Sequence, residues 1–115
     1  MILDHWAFSM KHLLQETEFG CIPTSYAMVL DIDVGILTGD VPEPWHFDSF
    51  NEILINMCRA PVVYVHNPPL DREGVLFLES GHAIAWDGTK GLDPNGGIIR
   101  ELPPIDFMVV FFELI

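Results

Sequence analysis

The chain has 115 residues, 17 acidic against 5 basic side chains, two cysteines, and apolar residues at half its positions. A chain of this length buries roughly two thirds of the surface its unfolded form exposes, which supports a packed core without disulfide or metal staples and argues against intrinsic disorder. The net charge of −12, with its few Lys and Arg residues scattered, excludes a phosphate-tracking nucleic-acid binder and favours a basic protein partner.

Cys21 and Cys58 form neither a C-x-x-C spacing nor a disulfide framework, so no metal site or cofactor is expected and a reducing, cytoplasmic compartment is the simpler reading. The stretch Met1 to Met10 has no Lys or Arg and lacks the positive start of a secretory signal. The longest apolar run, Phe107 to Phe112, falls far short of the ~20 residues that span a bilayer, so no membrane contact is expected. No repeat or linker divides the chain, which reads as one domain over 1–115.

In chain order, Trp6, Met10, Leu13 and Leu14 share a helical face and predict a helix over His5 to Leu14. A turn over Thr17 to Gly20 precedes a second helix ending at Leu30, with Pro23 in its first turn and Cys21 at its mouth. Thr38 to Pro44 reads as a loop. Ser49 and Glu52 have capping-box spacing for a third helix from Phe50, whose apolar stripe of Phe50, Ile53, Leu54, Met57 and Cys58 faces a core. From Pro61 onward the texture is β-rich: Val62 to His66, Val75 to Leu78, His82 to Trp86, Ile98 to Leu102 and Phe107 to Leu114 are separated by turn residues. Helices first and strands second predict an α+β fold, an antiparallel sheet against an N-terminal helical layer. The last strand is so apolar that it must be covered.

A thiol at a helix N-terminus sits at the positive end of the dipole, which favours thiolate and makes Cys21 a candidate nucleophile; a small buried hydrophobe is the ordinary alternative. His82 follows Gly81 at a strand start, open to a neighbour. If Asp87-Gly88 is a two-residue hairpin loop, Trp86 opposes Thr89, Ile84 opposes Gly91 and His82 opposes Asp93. Opposed positions bring Cβ atoms to about 5 Å, within reach of a carboxylate orienting an imidazole. Asp31 and Asp33 read as a solvated helix end, and His5, His12, His46 and His66 show no metal spacing. Trp45 reads as a loop anchor.

Gln15 to Leu30, with Gly81-His82-Ala83-Ile84-Ala85-Trp86-Asp87-Gly88 and Leu92-Asp93-Pro94-Asn95-Gly96, resembles papain-like cysteine peptidases, most closely the bacteriocin-leader-processing (double-glycine) peptidase domains. Ile22 stands where that family carries a small residue. The resemblance implies a papain-like fold and a catalytic set of Cys21, His82, Asp93 and Gln15. Gln15, six residues before Cys21, would be the oxyanion-hole donor. It further implies cleavage of a peptide or isopeptide bond in a peptide or protein substrate. Two alternatives stand beside this reading: a catalytically inactive papain-fold binding protein, and an acidic, viral-type inhibitor that holds a basic partner.

Overall fold

The computed structural model describes residues 9–114. Helix α1 spans Cys21–Leu30, α2 Val34–Thr38 and α3 Asn51–Asn56. Strands follow as β1 Arg59–Tyr64, β2 Gly74–Leu78, β3 Ala83–Trp86, β4 Gly91–Leu92, β5 Ile98–Ile99 and β6 Ile105–Glu113. All pairings are antiparallel, in one sheet of order β1-β6-β2-β3-β4-β5. Helices packed on an antiparallel sheet make this an α+β layout.

The sheet centre is apolar on both faces, which accounts for the near-continuous hydrophobic runs of its strands. Successive side chains alternate between faces. Val75, Ala83, Val109 and Phe111 therefore meet Tyr26, Ala27, Leu30, Phe50 and Leu54 on the helical side. Leu76, Leu78, Ile84, Trp86, Met108 and Val110 form a second cluster on the opposite side. There Trp86 donates from Nε1 to the Leu70 carbonyl, 2.8 Å away. Strand β6 lies between β1 and β2, so its apolar run is covered as expected.

Helix α1 lies against β3 because both helix-facing side chains of β3 are alanines, Ala83 and Ala85, which allow a close approach. Ser25 is fully buried at this contact and donates from Oγ to the Ala83 carbonyl at 3.3 Å. The helix ends at Asp31, in the left-handed conformation at φ 57°, whose N–H returns to the Ala27 carbonyl.

Several expectations need correction. Residues 9–14 take no regular secondary structure, and the rest of the expected first helix lies outside the described residues. The residue that follows this short segment is tied across the molecule, with Gln15 N–H donating to the Pro94 carbonyl at 2.8 Å, and an isolated helix of such length is marginal. Asp33 accepts from Gly35 N–H and caps the unforeseen helix α2. Ser49 forms no capping box, because its Oγ accepts from His46 N–H at 2.7 Å, and α3 starts with no side-chain cap. That helix stops at Asn56. Cys58 lies beyond it at φ 59° and is exposed, not part of an apolar stripe.

Strand β1 lies about three residues earlier than the expected Val62 to His66, because its register with β6 pairs Arg59 with Glu113 and Tyr64 with Met108. It is an edge strand, where Pro61 is tolerated. The expected strand Ile98 to Leu102 shrinks to Ile98–Ile99, since β4 offers only Gly91 and Leu92 as partners before the turn at Asp93-Pro94. The β3–β4 loop holds four residues, not two. Asp87 Oδ1 accepts from the N–H groups of Thr89 and Lys90, and Trp86 pairs with Gly91.

Candidate active site

Three local features converge on one end of α1. Cys21 is the helix's first residue, one turn before Ser25 and on the same face, so the contact of Ser25 with β3 carries Cys21 to the start of that strand. His82 directly precedes β3. It follows Gly81, whose φ of +92° closes the β2–β3 turn with a backbone conformation that L side chains rarely adopt. The Cys21 thiol and the His82 imidazole line the same cleft, close enough that each shifts the other's titration.

Asp93 completes the set. Its Oδ1 lies 2.8 Å from His82 Nε2, and both side chains are largely buried. That leaves Nδ1 as the ring nitrogen for the thiol. The hairpin register differs by two residues from the one predicted, and a shift of two preserves the face on which each side chain points. His82 and Asp93 lie just beyond the paired residues of β3 and β4, and their bond joins the two strand ends although Asp93 no longer stands directly opposite. Asp93 Oδ1 also accepts from Asn95 N–H at 2.8 Å, and Gly96 N–H closes the turn onto the Asp93 carbonyl. Asn95-Gly96-Gly97 is thus a turn, as its composition suggests.

The electrostatics follow from these contacts. Burial pushes the Cys21 thiol up, but the His82 hydrogen bond, a backbone contact at Ala83 and the imidazolium charge outweigh it and bring the thiol below its ordinary value. His82 is raised to about 9, first by its bond to Cys21 and then, against the effect of burial, by the bond and charge of Asp93. A thiolate facing an imidazolium is a nucleophile beside a proton donor, the pair needed for acyl transfer.

The pair opens into a cleft of about 570 Å³ whose walls include Phe19, Ile22 and Trp45, with Glu18 and Glu43 at the edges. Trp45 both anchors its loop, donating from Nε1 to the Val41 carbonyl at 2.8 Å, and lines this cleft. A separate hollow of about 410 Å³, beside Leu13 and Met28, holds no thiol or imidazole. Gln15 sits on the segment leading to α1. Its Nε2 donates to the carbonyls of Thr17 at 2.8 Å and Glu18 at 3.1 Å, while Oε1 is buried without a hydrogen-bond partner. Among the described residues no three His, Cys, Asp or Glu side chains gather as metal ligands, and no helix is long and apolar enough to cross a membrane.

The sequence matches no protein-family model and no curated protein. The fold resembles that of a double-glycine motif protease. That protein, from an AMS/PCAT transporter, was crystallised in complex with the leader peptide. The TM-score is 0.71 at 14% sequence identity, over 91% of this chain and 92% of the protease.

Sequence reasoning missed His12. Its Nε2 lies 2.7 Å from the Asp93 carbonyl oxygen across a separation of 81 residues, which no local pattern could signal.

Proposed function

We propose that this protein is a papain-like cysteine hydrolase that cleaves a peptide or isopeptide bond. The observation that carries the reading is the thiol-to-imidazole contact, with a carboxylate behind the ring, at the floor of an open cleft. Cys21 attacks the carbonyl carbon as thiolate, forming the S–C bond. His82 then gives its proton to the leaving amine as the C–N bond breaks. Water then attacks the thioester carbonyl while His82 takes its proton, and breakage of the C–S bond releases the acid product and returns the thiolate beside the imidazolium. Asp93 orients the ring and stabilises its charged form.

The Cys21 backbone N–H is one oxyanion donor, and Gln15 is the other once its amide leaves the Thr17 and Glu18 carbonyls. The apolar cleft walls and the fold's similarity to a protease crystallised with a leader peptide support a peptide substrate.

Alkylation by iodoacetamide tests the nucleophile with an internal control. Cys21 should react fast near neutral pH, and faster than Cys58, although Cys58 is the more exposed of the two. On a cleavable peptide, Cys21→Ala should abolish turnover and Gln15→Ala should slow it about 100-fold, as for other single oxyanion donors. Equal alkylation of the two cysteines, or turnover surviving in Cys21→Ala, would overturn the reading.

A further inference from the structure

We propose that His12 is a positioning residue of this site: through the carbonyl of Asp93 it fixes the turn that holds the orienting carboxylate against His82. The inference rests on the hydrolase reading above and adds a member that the reading does not contain.

The geometry is specific. The Asp93 carbonyl oxygen accepts from Gly96 N–H within its own turn and meets His12 Nε2 at 2.7 Å. A carbonyl can only accept, so His12 must carry hydrogen on Nε2. Three residues on, Gln15 N–H donates to the Pro94 carbonyl at 2.8 Å. The segment from His12 to Gln15 thus clamps two consecutive carbonyls of the acid-bearing turn. Its last residue also ties, through the Gln15 amide, to the loop that leads into Cys21.

The clamp is needed because the ladder ends early. Strand β4 stops at Leu92, Pro94 offers no N–H, and the Asp93 N–H bonds only within its own hairpin, to the Gly97 carbonyl at 3.1 Å. The bonds from His12 and Gln15 come from outside that turn and fix where the carboxylate stands. The titratable groups facing the His82 ring are Cys21 from α1 and Asp93 from this turn, and Glu18 and Glu43 share its cleft. Loosening Asp93 therefore acts on the charge of His82 and, through it, on the thiolate.

The test compares His12→Phe, which keeps a ring without a donor, with His12→Gln, which restores an N–H at similar reach. The readouts are the pH profile of iodoacetamide alkylation at Cys21 and thermal unfolding. His12→Phe should raise the alkylation midpoint and slow labelling at pH 6.5 by about tenfold, the worth of one well-placed hydrogen bond, and His12→Gln should recover most of the loss. A folded His12→Phe with the wild-type profile overturns the proposal, as does a loss in both variants that tracks thermal stability alone. If His12→Phe does not fold, the wild type still decides: ¹⁵N shifts of His12 must show hydrogen on Nε2, and a ring protonated only on Nδ1 overturns it. Failure of the hydrolase reading itself looks different, since wild-type Cys21 would then react no faster than Cys58.

Discussion

Asp93 has two tasks at the scale of single side chains, accepting from His82 and closing its own turn through Asn95 N–H. In Asp93→Ala the His82 ring loses the nearby charge and bond that help raise it to about 9, so its titration midpoint, followed by NMR, should fall towards the ordinary value of 6.5. Cys21 alkylation near neutral pH should slow in the same variant, because fewer molecules then carry the imidazolium that stabilises the thiolate. A His82 midpoint unchanged in Asp93→Ala would assign the whole shift to Cys21. Cys21 and His82 were legible from local cues, a helix start and a glycine-flanked strand start, whereas the count that picked out Asp93 assumed a two-residue loop where the structure has four. The meeting of Cys21 with His82 was not legible, because nothing local in 61 residues of separation states that α1 lies along β3.

At the scale of elements, the contact that unites them is the close seat of α1 on Ala83 and Ala85. Ala83→Val places two extra carbons in a filled space and should cost about 1–3 kcal/mol in chemical denaturation, as overpacking does. It should also slow Cys21 labelling, since the helix can relieve the clash only by moving its N-terminus away from His82. Slower unfolding with unchanged labelling would contradict this. The α+β layout and the cores of β2, β3 and β6 were readable from alternation and turn residues. Register and helix ends were not. Ser49 bonded back to His46 instead of capping α3, and Asp87 drew four residues into a loop that composition assigned two. The predicted hairpin register was off by two residues, and Asp93 reaches His82 from beyond the end of β4, not from the opposed position expected of it.

For the whole molecule, the site sets an unusual pH dependence. His82, raised from 6.5 to about 9, contributes stability that is full below 6.5 and lost as pH climbs through 9. Cys21, lowered from 9.0, contributes stability that is full above 9.0 and lost as pH falls through its folded value. As pH rises from 6.5 towards 9 the His82 contribution declines while the Cys21 contribution grows, so the two slopes oppose each other and the site's net contribution to unfolding free energy should change less than either group's alone. In Cys21→Ala only the His82 part remains, and stability should decline with rising pH over the same range in urea titrations. Parallel curves for the two proteins would show that the thiol and imidazole do not share a proton.

The order of strands in space has a consequence for how the chain finds its shape. Strands β2, β3 and β4 are neighbours both in sequence and in the sheet, whereas β1 pairs with β6, whose partner residues lie 44 to 54 positions further on. The nascent polypeptide therefore exposes Val62 and Val63 on a lone ribbon until the closing strand emerges from the ribosome. Such late, long-distance closure slows folding and makes that ribbon the point at which assembly is most open to chaperones and to wrong partners.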